Sequence, residues 1–99
     1  MLKEELLPVG SIVLLKEAKR KVVIIGFAVV ENGSNEIWDY LGAPYPIGVI
    51  SNDRNLIFNR EQIQKVVFVG YSDEEDKSLR IEIDNNLESL RSWYVKVKL

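Results

Sequence analysis

The sequence predicts an α+β domain in which a small, strongly curved antiparallel sheet, or a partly open SH3-like barrel, is followed by a C-terminal amphipathic helix. Three observations indicate this class. Short β-branched runs alternate with turn residues over 1–71, a glycine interrupts the longest run, and apolar residues recur at helical spacing over 72–92. A chain of 99 residues fits one domain with a single core, and residues 93–99 would add a short strand or a tail.

The first two predicted strands form a hairpin. Pro8 and Gly10 mark a turn, and the apolar run at 12–15 predicts the first strand. After a charged connection, nearly every residue from 21 to 31 is apolar, which is typical of a strand that is covered on both faces. Gly26 lies in the middle of this second strand and predicts a bulge or a bend.

The third predicted strand, 36–42, follows a turn signal, NGSN, at 32–35, since Asn-Gly supplies the positive φ angles of a tight hairpin. Residues 43–48 are predicted to leave the sheet as a short extended arm. The reason is that Pro44 and Pro46 have no backbone N–H to donate to a neighbouring strand.

The next segment predicts two short strands separated by one helical turn. The run at 56–58 is the first of them, and Asn59 with Gln62 forms a capping box for the turn that follows. Residues 66–71 are then predicted to form the final strand of the core.

The last part of the chain predicts a helix over 72–92. Ser72 or Asp73 can cap it, and the acidic residues that follow suit the positive end of the helix dipole. The run at 79–84 also alternates as a strand would, but the acidic start and the length of the pattern favour the helix. Residues 94–99 alternate too and could form a sixth strand or an exposed edge. The apolar stripe of the helix consists of Leu79, Ile83, Leu87 and Leu90.

The residue content excludes several kinds of catalyst. With no cysteine and no histidine, the chain lacks thiolate metal ligands, the commonest metal ligand and the commonest general base. It contains no glycine-rich phosphate loop and no EF-hand pattern. We therefore expect a protein that is not an enzyme and that binds no cofactor or metal.

Charge is distributed unevenly along the chain. Residues 1–72 carry eight acidic and eight basic side chains, whereas residues 73–92 carry seven acidic and three basic ones. No basic stripe matches a phosphate backbone, so nucleic acid is not the expected partner. Because no segment has the roughly 18 apolar residues of a membrane span and the charged N-terminus does not resemble a signal peptide, we expect no membrane insertion and a cytoplasmic location.

The stretch 36–48, EIWDYLGAPYPIG, concentrates aromatic, proline and glycine residues. Its rings either fill one end of a small core or form a surface for a partner, because aromatic residues with few charges nearby are typical of interface cores. The helix allows the same two interpretations, since its stripe either covers the sheet or docks on another protein. The candidate partner-binding residues are Trp38, Tyr40, Pro44, Tyr45, Pro46, Leu79, Ile83, Leu87, Leu90 and Trp93.

Four segments in order carry a family resemblance: LPVGSIVLLK, KVVIIGFAV, WDYLGAPYPIG and FNREQIQKVVFVGYSDEED. Together, over roughly residues 6–80, they resemble a small family of proteins of unknown function from Gram-positive bacteria. Members of that family are encoded beside LXG polymorphic toxins in type VII secretion loci. The matching positions, most of which we interpret as fold-defining, are Leu7, Pro8, Gly10, Tyr40, Gly42, Tyr45, Pro46, Gly48, Phe58, Gly70 and Tyr71.

The resemblance implies a cytoplasmic accessory protein that binds an LXG toxin before export, as a chaperone or targeting factor. Such a protein needs an apolar patch that a client can cover, and it needs no catalyst. Other roles stay open. The residues allow a barrel-type module that binds a peptide or nucleic acid, and a second copy paired through the edge at 94–99. The resemblance also allows an immunity protein that blocks the toxin.

Overall fold

The computed structural model describes residues 5–30 and 36–98, with side chains as far as residue 89. The turn predicted at 32–35 lies outside the described residues. Within them, the chain forms five strands, two short 3-10 segments and one long helix, which confirms the predicted α+β class. The elements are β1 (Ile12–Leu15), β2 (Lys21–Val30), β3 (Ile37–Pro44), a 3-10 segment (Asn52–Arg54), β4 (Leu56–Phe58), a second 3-10 segment (Arg60–Gln62), β5 (Ile63–Phe68) and α1 (Glu74–Lys98).

The strands form one antiparallel sheet in the order β4-β3-β2-β1-β5, so the sheet is open, with β4 and β5 as its edges. A register shift between Ile24 and Gly26 places an extra residue in β2 opposite β3. This confirms the predicted bulge, which bends a strand and increases its twist. Ala28 adds a second irregularity two residues further on, with a φ of +54°.

Strand β3 is longer than predicted, because it continues through Ala43 to Pro44. The N–H of Tyr45 points to β2 and donates to the Lys21 carbonyl at 3.1 Å. Successive backbone N–H groups of a strand point in alternate directions, so the nitrogen of Pro44 points away from β2, toward the β4 side of the sheet. Strand β4 begins at Leu56, which pairs with Gly42, so it does not extend as far as Pro44. The missing donor therefore costs no hydrogen bond in the sheet.

Strand β5 is not the core strand that was predicted over 66–71. It begins earlier, at Ile63, and most of its residues are exposed, including Val67 and Phe68. The reason is its position, since β5 pairs only with β1 at the edge of the sheet and α1 packs mainly on β2 and β3. An edge strand with little cover on its faces keeps apolar side chains in contact with water.

The core is centred on Tyr40, which is fully buried. Its ring lies 6.1 Å from that of Phe27 and 5.3 Å from that of Phe58, within the range of favourable aromatic pairs. The buried apolar residues around it come from the N-terminal segment, the strands and the helix. They are Leu6, Leu7, Val13, Val22, Ile24, Ile37, Phe58, Ile63 and Leu87.

Helix α1 begins as predicted and ends later. Asp73 caps it, because its side-chain Oδ1 accepts from the N–H of Asp76 at 2.9 Å. The run at 79–84 is helical, and the helix continues to Lys98. It therefore occupies residues 94–98, for which a strand or tail was predicted. Lengthening a formed helix needs no new nucleus, whereas a strand needs a partner.

The buried face of α1 differs from the predicted stripe at its first position. Ile83 and Leu87 pack on the core, but Leu79 is 49% exposed. Arg80 takes the inward position instead, because it lies three residues before Ile83 on the same helical face. Leu90 and Trp93 lie beyond the described side chains.

Candidate functional site

The connection between β3 and β4 exposes a concentration of apolar side chains. We call residues 45–50, YPIGVI, the apolar loop. Ile47, Val49 and Ile50 are 63%, 59% and 53% exposed, and Tyr45 is also exposed. Scattered exposed apolar residues are ordinary, but four within six consecutive positions form a patch that is typical of an interaction site.

Two backbone hydrogen bonds attach the first part of the apolar loop to the end of the sheet. The N–H of Gly48 donates to the Pro44 carbonyl at 2.7 Å, and the N–H of Tyr45 donates to the Lys21 carbonyl at 3.1 Å. Gly48 has a φ of +85°, a conformation that favours glycine. The peptide bond between Tyr45 and Pro46 is cis. The patch is therefore attached to the sheet at its start and turns sharply at Gly48.

The turn between β1 and β2 lies beside the apolar loop and is basic. The ammonium nitrogen of Lys21 lies 5.7 Å from the centroid of the Tyr45 ring, at cation–π distance. We call residues 16–21 the basic turn. It carries four exposed cationic side chains and one exposed carboxylate, which belong to Lys16, Lys19, Arg20, Lys21 and Glu17.

The candidate residues of the stretch 36–48 separate into buried or half-buried ones and exposed ones. Tyr40 is buried in the core, and Trp38 is half-buried, with its indole Nε1 enclosed and without a hydrogen-bond partner among the described residues. Pro44 is half-buried at the end of β3, whereas Tyr45 and Pro46 are exposed. Of the predicted set, Tyr45 and Pro46 are therefore the strand and loop residues best placed to contact a partner.

The apolar residues of the helix separate in the same way. Leu87 is buried and Ile83 is half-buried against the core, so both belong to the fold. Leu79 is exposed, as is Ile81, which the predicted stripe did not include. These two exposed residues are two positions apart and lie about 200° apart around a helix, so they do not share one face.

An arginine between two carboxylates joins the sheet to the helix, and it is not among the residues predicted from the sequence. The guanidinium of Arg60 donates to Asp39 through Nε at 3.0 Å and through Nη2 at 3.2 Å. It also reaches Asp84 on α1, with Nη2 2.9 Å from Oδ1. The hydrogen bond to Asp39 is the largest cause that raises the pKa of Arg60, so Arg60 stays cationic at any accessible pH.

A second buried arginine joins the helix to the N-terminal segment. Arg80 Nη1 donates to the Leu6 carbonyl at 2.6 Å, and its Nε donates to Asp76 at 2.9 Å. Ser72 also accepts from it, at 3.1 Å. All of these partners are structural, and a buried cation with such partners stabilises the position of the helix rather than a ligand.

A cleft of about 420 Å³ lies beside this second arginine. Its lining carries both signs of charge, and two of its charged groups, Arg80 and Asp84, already have ionic partners within the chain. We therefore assign it no ligand. The lining residues are Glu5, Leu6, Lys77, Arg80, Ile81 and Asp84.

The buried phenol of Tyr40 predicts a loss of stability in alkali. Its oxygen accepts from the N–H of Leu7 at 2.8 Å, and burial raises the pKa of Tyr40 to about 12 from an ordinary value of 10.0. Above pH 10 the unfolded state ionises while the folded state does not. The free energy of unfolding should therefore fall as pH rises from about 10 to 12, by about 2 to 3 kcal/mol.

Urea titrations at a series of pH values, compared with the variant Tyr40→Phe, test this expectation. The variant should be less stable at neutral pH, because the N–H of Leu7 loses its acceptor. Its free energy of unfolding should also fall less than that of the native protein as the pH rises from about 10 to 12. If both proteins lose the same free energy between pH 10 and 12, Tyr40 is not the responsible group.

Two classes of site are not found in the part of the chain that the structure describes. No group of three or more Asp, Glu, His or Cys side chains in the described ranges is placed to hold a metal ion. The search for membrane spans, limited to the same residues, finds no helix that is both long enough and apolar enough to cross a bilayer.

The fold and the site together define a small α+β domain with an open five-stranded sheet and an exposed apolar loop. The chain belongs to the family described as a domain of unknown function (DUF4176), which matches residues 6–79. This confirms the resemblance to a small family of unknown function. The matched interval contains the whole sheet, the apolar loop and the first residues of α1. No curated protein and no solved structure matches the chain.

Proposed function

We propose that this protein is a non-enzymatic, cytoplasmic accessory factor that binds an LXG-type toxin for type VII secretion, as a chaperone or targeting factor. The motif resemblance supports the class of partner. The observation that carries the proposal of protein binding is the apolar loop. Its exposed apolar side chains would be removed from water when a client covers them, and this burial favours binding.

We prefer the apolar loop to the other exposed apolar residues of the described chain. Val67, Phe68, Val69 and Tyr71 are also exposed near the end of β5, but Val67 and Phe68 lie in the strand and point to opposite faces of it. The exposed residues of α1, Leu79 and Ile81, likewise point in different directions. The loop combines a local concentration of apolar side chains with a backbone held by hydrogen bonds, which lowers the entropy cost of binding.

The first test is co-purification of the tagged protein with the toxin of the adjacent gene, followed by titration of the pure components. The variant Ile47→Ser/Ile50→Ser should fold and should bind the toxin roughly thirtyfold more weakly. Each of these exposed isoleucines should contribute about 1 kcal/mol to binding when a client covers it.

A matched control replaces two exposed apolar residues of the helix, in the variant Leu79→Ser/Ile81→Ser. Ile81 is 64% exposed, close to the value for Ile47, so neither change should unfold the protein. We expect toxin binding by this control to be unchanged. Loss of binding in the helix variant alone would show that α1 is the docking surface, and failure of the native protein to bind any toxin segment would contradict the proposed function.

Truncation of the toxin distinguishes a chaperone or targeting factor from an immunity protein. A chaperone or targeting factor should bind the N-terminal LXG segment and leave the toxic activity unaffected. An immunity protein should bind the C-terminal toxic domain and inhibit it. Binding to the C-terminal domain alone would replace our proposal with the second role.

A further inference from the structure

The charges beside the apolar loop define the chemistry of its partner. We infer that the loop binds a client segment in which acidic side chains flank an apolar stripe, with the basic turn supplying the opposite charges. This inference rests on the proposed function, because it describes the client of the same surface. It is carried by the juxtaposition of the basic turn and the apolar loop.

Two contacts place Lys21, the last residue of the basic turn, beside the loop. The Lys21 carbonyl accepts from the N–H of Tyr45, and the Lys21 ammonium lies over the Tyr45 ring. The cationic side chains of the turn are exposed, and no carboxylate among the described residues forms an ion pair with them. A covering partner with carboxylates near its apolar residues would therefore meet cations that form no ion pair with any described residue.

The opposite charge dominates on the helix. Residues 73–89 carry seven acidic and two basic side chains, whereas the basic turn carries four basic and one acidic. An acidic segment would be repelled by the first part of α1 and attracted to the basic turn. The same asymmetry favours the orientation in which the acidic residues of the client face the basic turn and not α1, because like charges in contact weaken binding.

A protein segment fits this surface better than an anionic membrane does, although both would meet basic side chains. Faces that insert into membranes are typically rich in Trp, Phe and Leu, and the loop residues 45–50 include none of these. The loop is also held by hydrogen bonds at Tyr45 and Gly48, so it presents a preformed surface such as a protein partner needs.

The experiment uses the full chain, labelled with ¹⁵N, and three synthetic helical peptides. The peptides share one leucine stripe and differ only in the residues beside it, which are Glu, Gln or Lys. The Glu peptide should shift the amide signals of residues 45–50 and 16–21 and should bind about tenfold more tightly than the Lys peptide. Raising the salt to about 1 M, where the Debye length is about 3 Å, should remove most of this difference.

A matched pair of charge reversals tests the contribution of the turn. The variant Arg20→Glu should weaken binding of the Glu peptide about tenfold, whereas Lys77→Glu, which changes the net charge equally at the start of α1, should weaken it by less than about twofold, because that charge acts only at a distance. Equal binding of the three peptides, or shifts outside the loop and the turn, would overturn the inference. Binding to vesicles of anionic lipid without binding to the Glu peptide would also overturn it.

The peptide result is separable from the toxin result. If the toxin binds with no dependence on salt or on Arg20, the proposed function stands and the inferred partner chemistry is wrong. If the Glu peptide binds as expected and no toxin does, the partner chemistry stands and the proposed function is wrong.

Discussion

Replacing Arg60 by methionine is expected to lower the free energy of unfolding by about 3 to 5 kcal/mol, because it leaves a buried carboxylate without its cation. Asp39 is 1% exposed and accepts from both the guanidinium and the backbone N–H of Arg60. Small domains are stable by only about 5 to 15 kcal/mol. The variant should therefore unfold at a clearly lower urea concentration than the native protein, as titration followed by circular dichroism would show.

A control separates the two carboxylates that Arg60 joins. The side chain of Asp84 is 42% exposed, so Asp84→Asn removes a screened ion pair and should cost less than about 1 kcal/mol. The double variant Arg60→Met/Asp39→Leu should regain part of the stability that Arg60→Met loses, since no unpaired charge is then buried. An Arg60→Met variant that is as stable as Asp84→Asn would show that Asp39 does not depend on this cation.

Gly70→Ala is the second substitution with a large expected effect, a loss of about 2 to 4 kcal/mol. A methyl group at Gly70 would overlap the carbonyl oxygen of Val9 and lie 2.9 Å from the backbone nitrogen of Ser11. Backbone atoms cannot move aside as a flexible side chain can. The displacement would also weaken the hydrogen bond in which Gly70 N–H donates to Ser11 Oγ at 2.9 Å.

The matched change is Gly26→Ala in the bulge of β2. A methyl group there would lie 3.7 Å from the Cβ of Leu41, an ordinary contact, so the change should alter stability by less than about 1 kcal/mol. Melting temperatures of both variants provide the measurement. If the two alanine variants have the same melting temperature, the close approach of Gly70 to the N-terminal turn is not a determinant of stability.

The elements with strong local patterns were predictable from the sequence. The run at 12–15 became β1 without change, Gly26 marked the bulge, and Asp73 caps α1. Gln62 accepts from the backbone N–H of Asn59 at 2.8 Å, as the predicted capping box requires. These features depend on a few neighbouring residues, which is why sequence spacing determines them.

The placement of charged residues was not predictable in the same way. Hydrophobic spacing assigns Leu79 to the core face of the helix, yet Arg80 is buried there. Arg80 can be buried because Leu6, which is 74 positions away, provides a carbonyl acceptor. Asp39 similarly depends on Arg60, in a different part of the chain. Such pairs become visible only when tertiary structure brings the partners together.

The candidate site was partly predictable. The composition of 36–48 indicated aromatic and apolar residues beside prolines, and the exposed loop at 45–50 lies within or next to that stretch. Composition could not determine which ring points inward, because that depends on the pairing of β3 with β2 across a bulge. The basic turn was predicted only as a connection between two strands. Its contact with Tyr45 depends on the register of β2 against β3, which pairs Val22 with Pro44, and the sequence does not reveal that register.

The contacts of the N-terminal segment determine when the fold can be completed during synthesis. Leu7 hydrogen-bonds to Tyr40, Ser11 to Gly70 and Leu6 to Arg80, at separations of 33, 59 and 74 residues. Translation makes each of these residues before its partner, so none of the three hydrogen bonds can form when the segment itself is made. The bond between Leu6 and Arg80 has to wait until the 74 positions that separate them have been translated. Contacts so distant in sequence form slowly, and they leave apolar residues such as Leu6 and Leu7 exposed to wrong partners until the helix that covers them has been made.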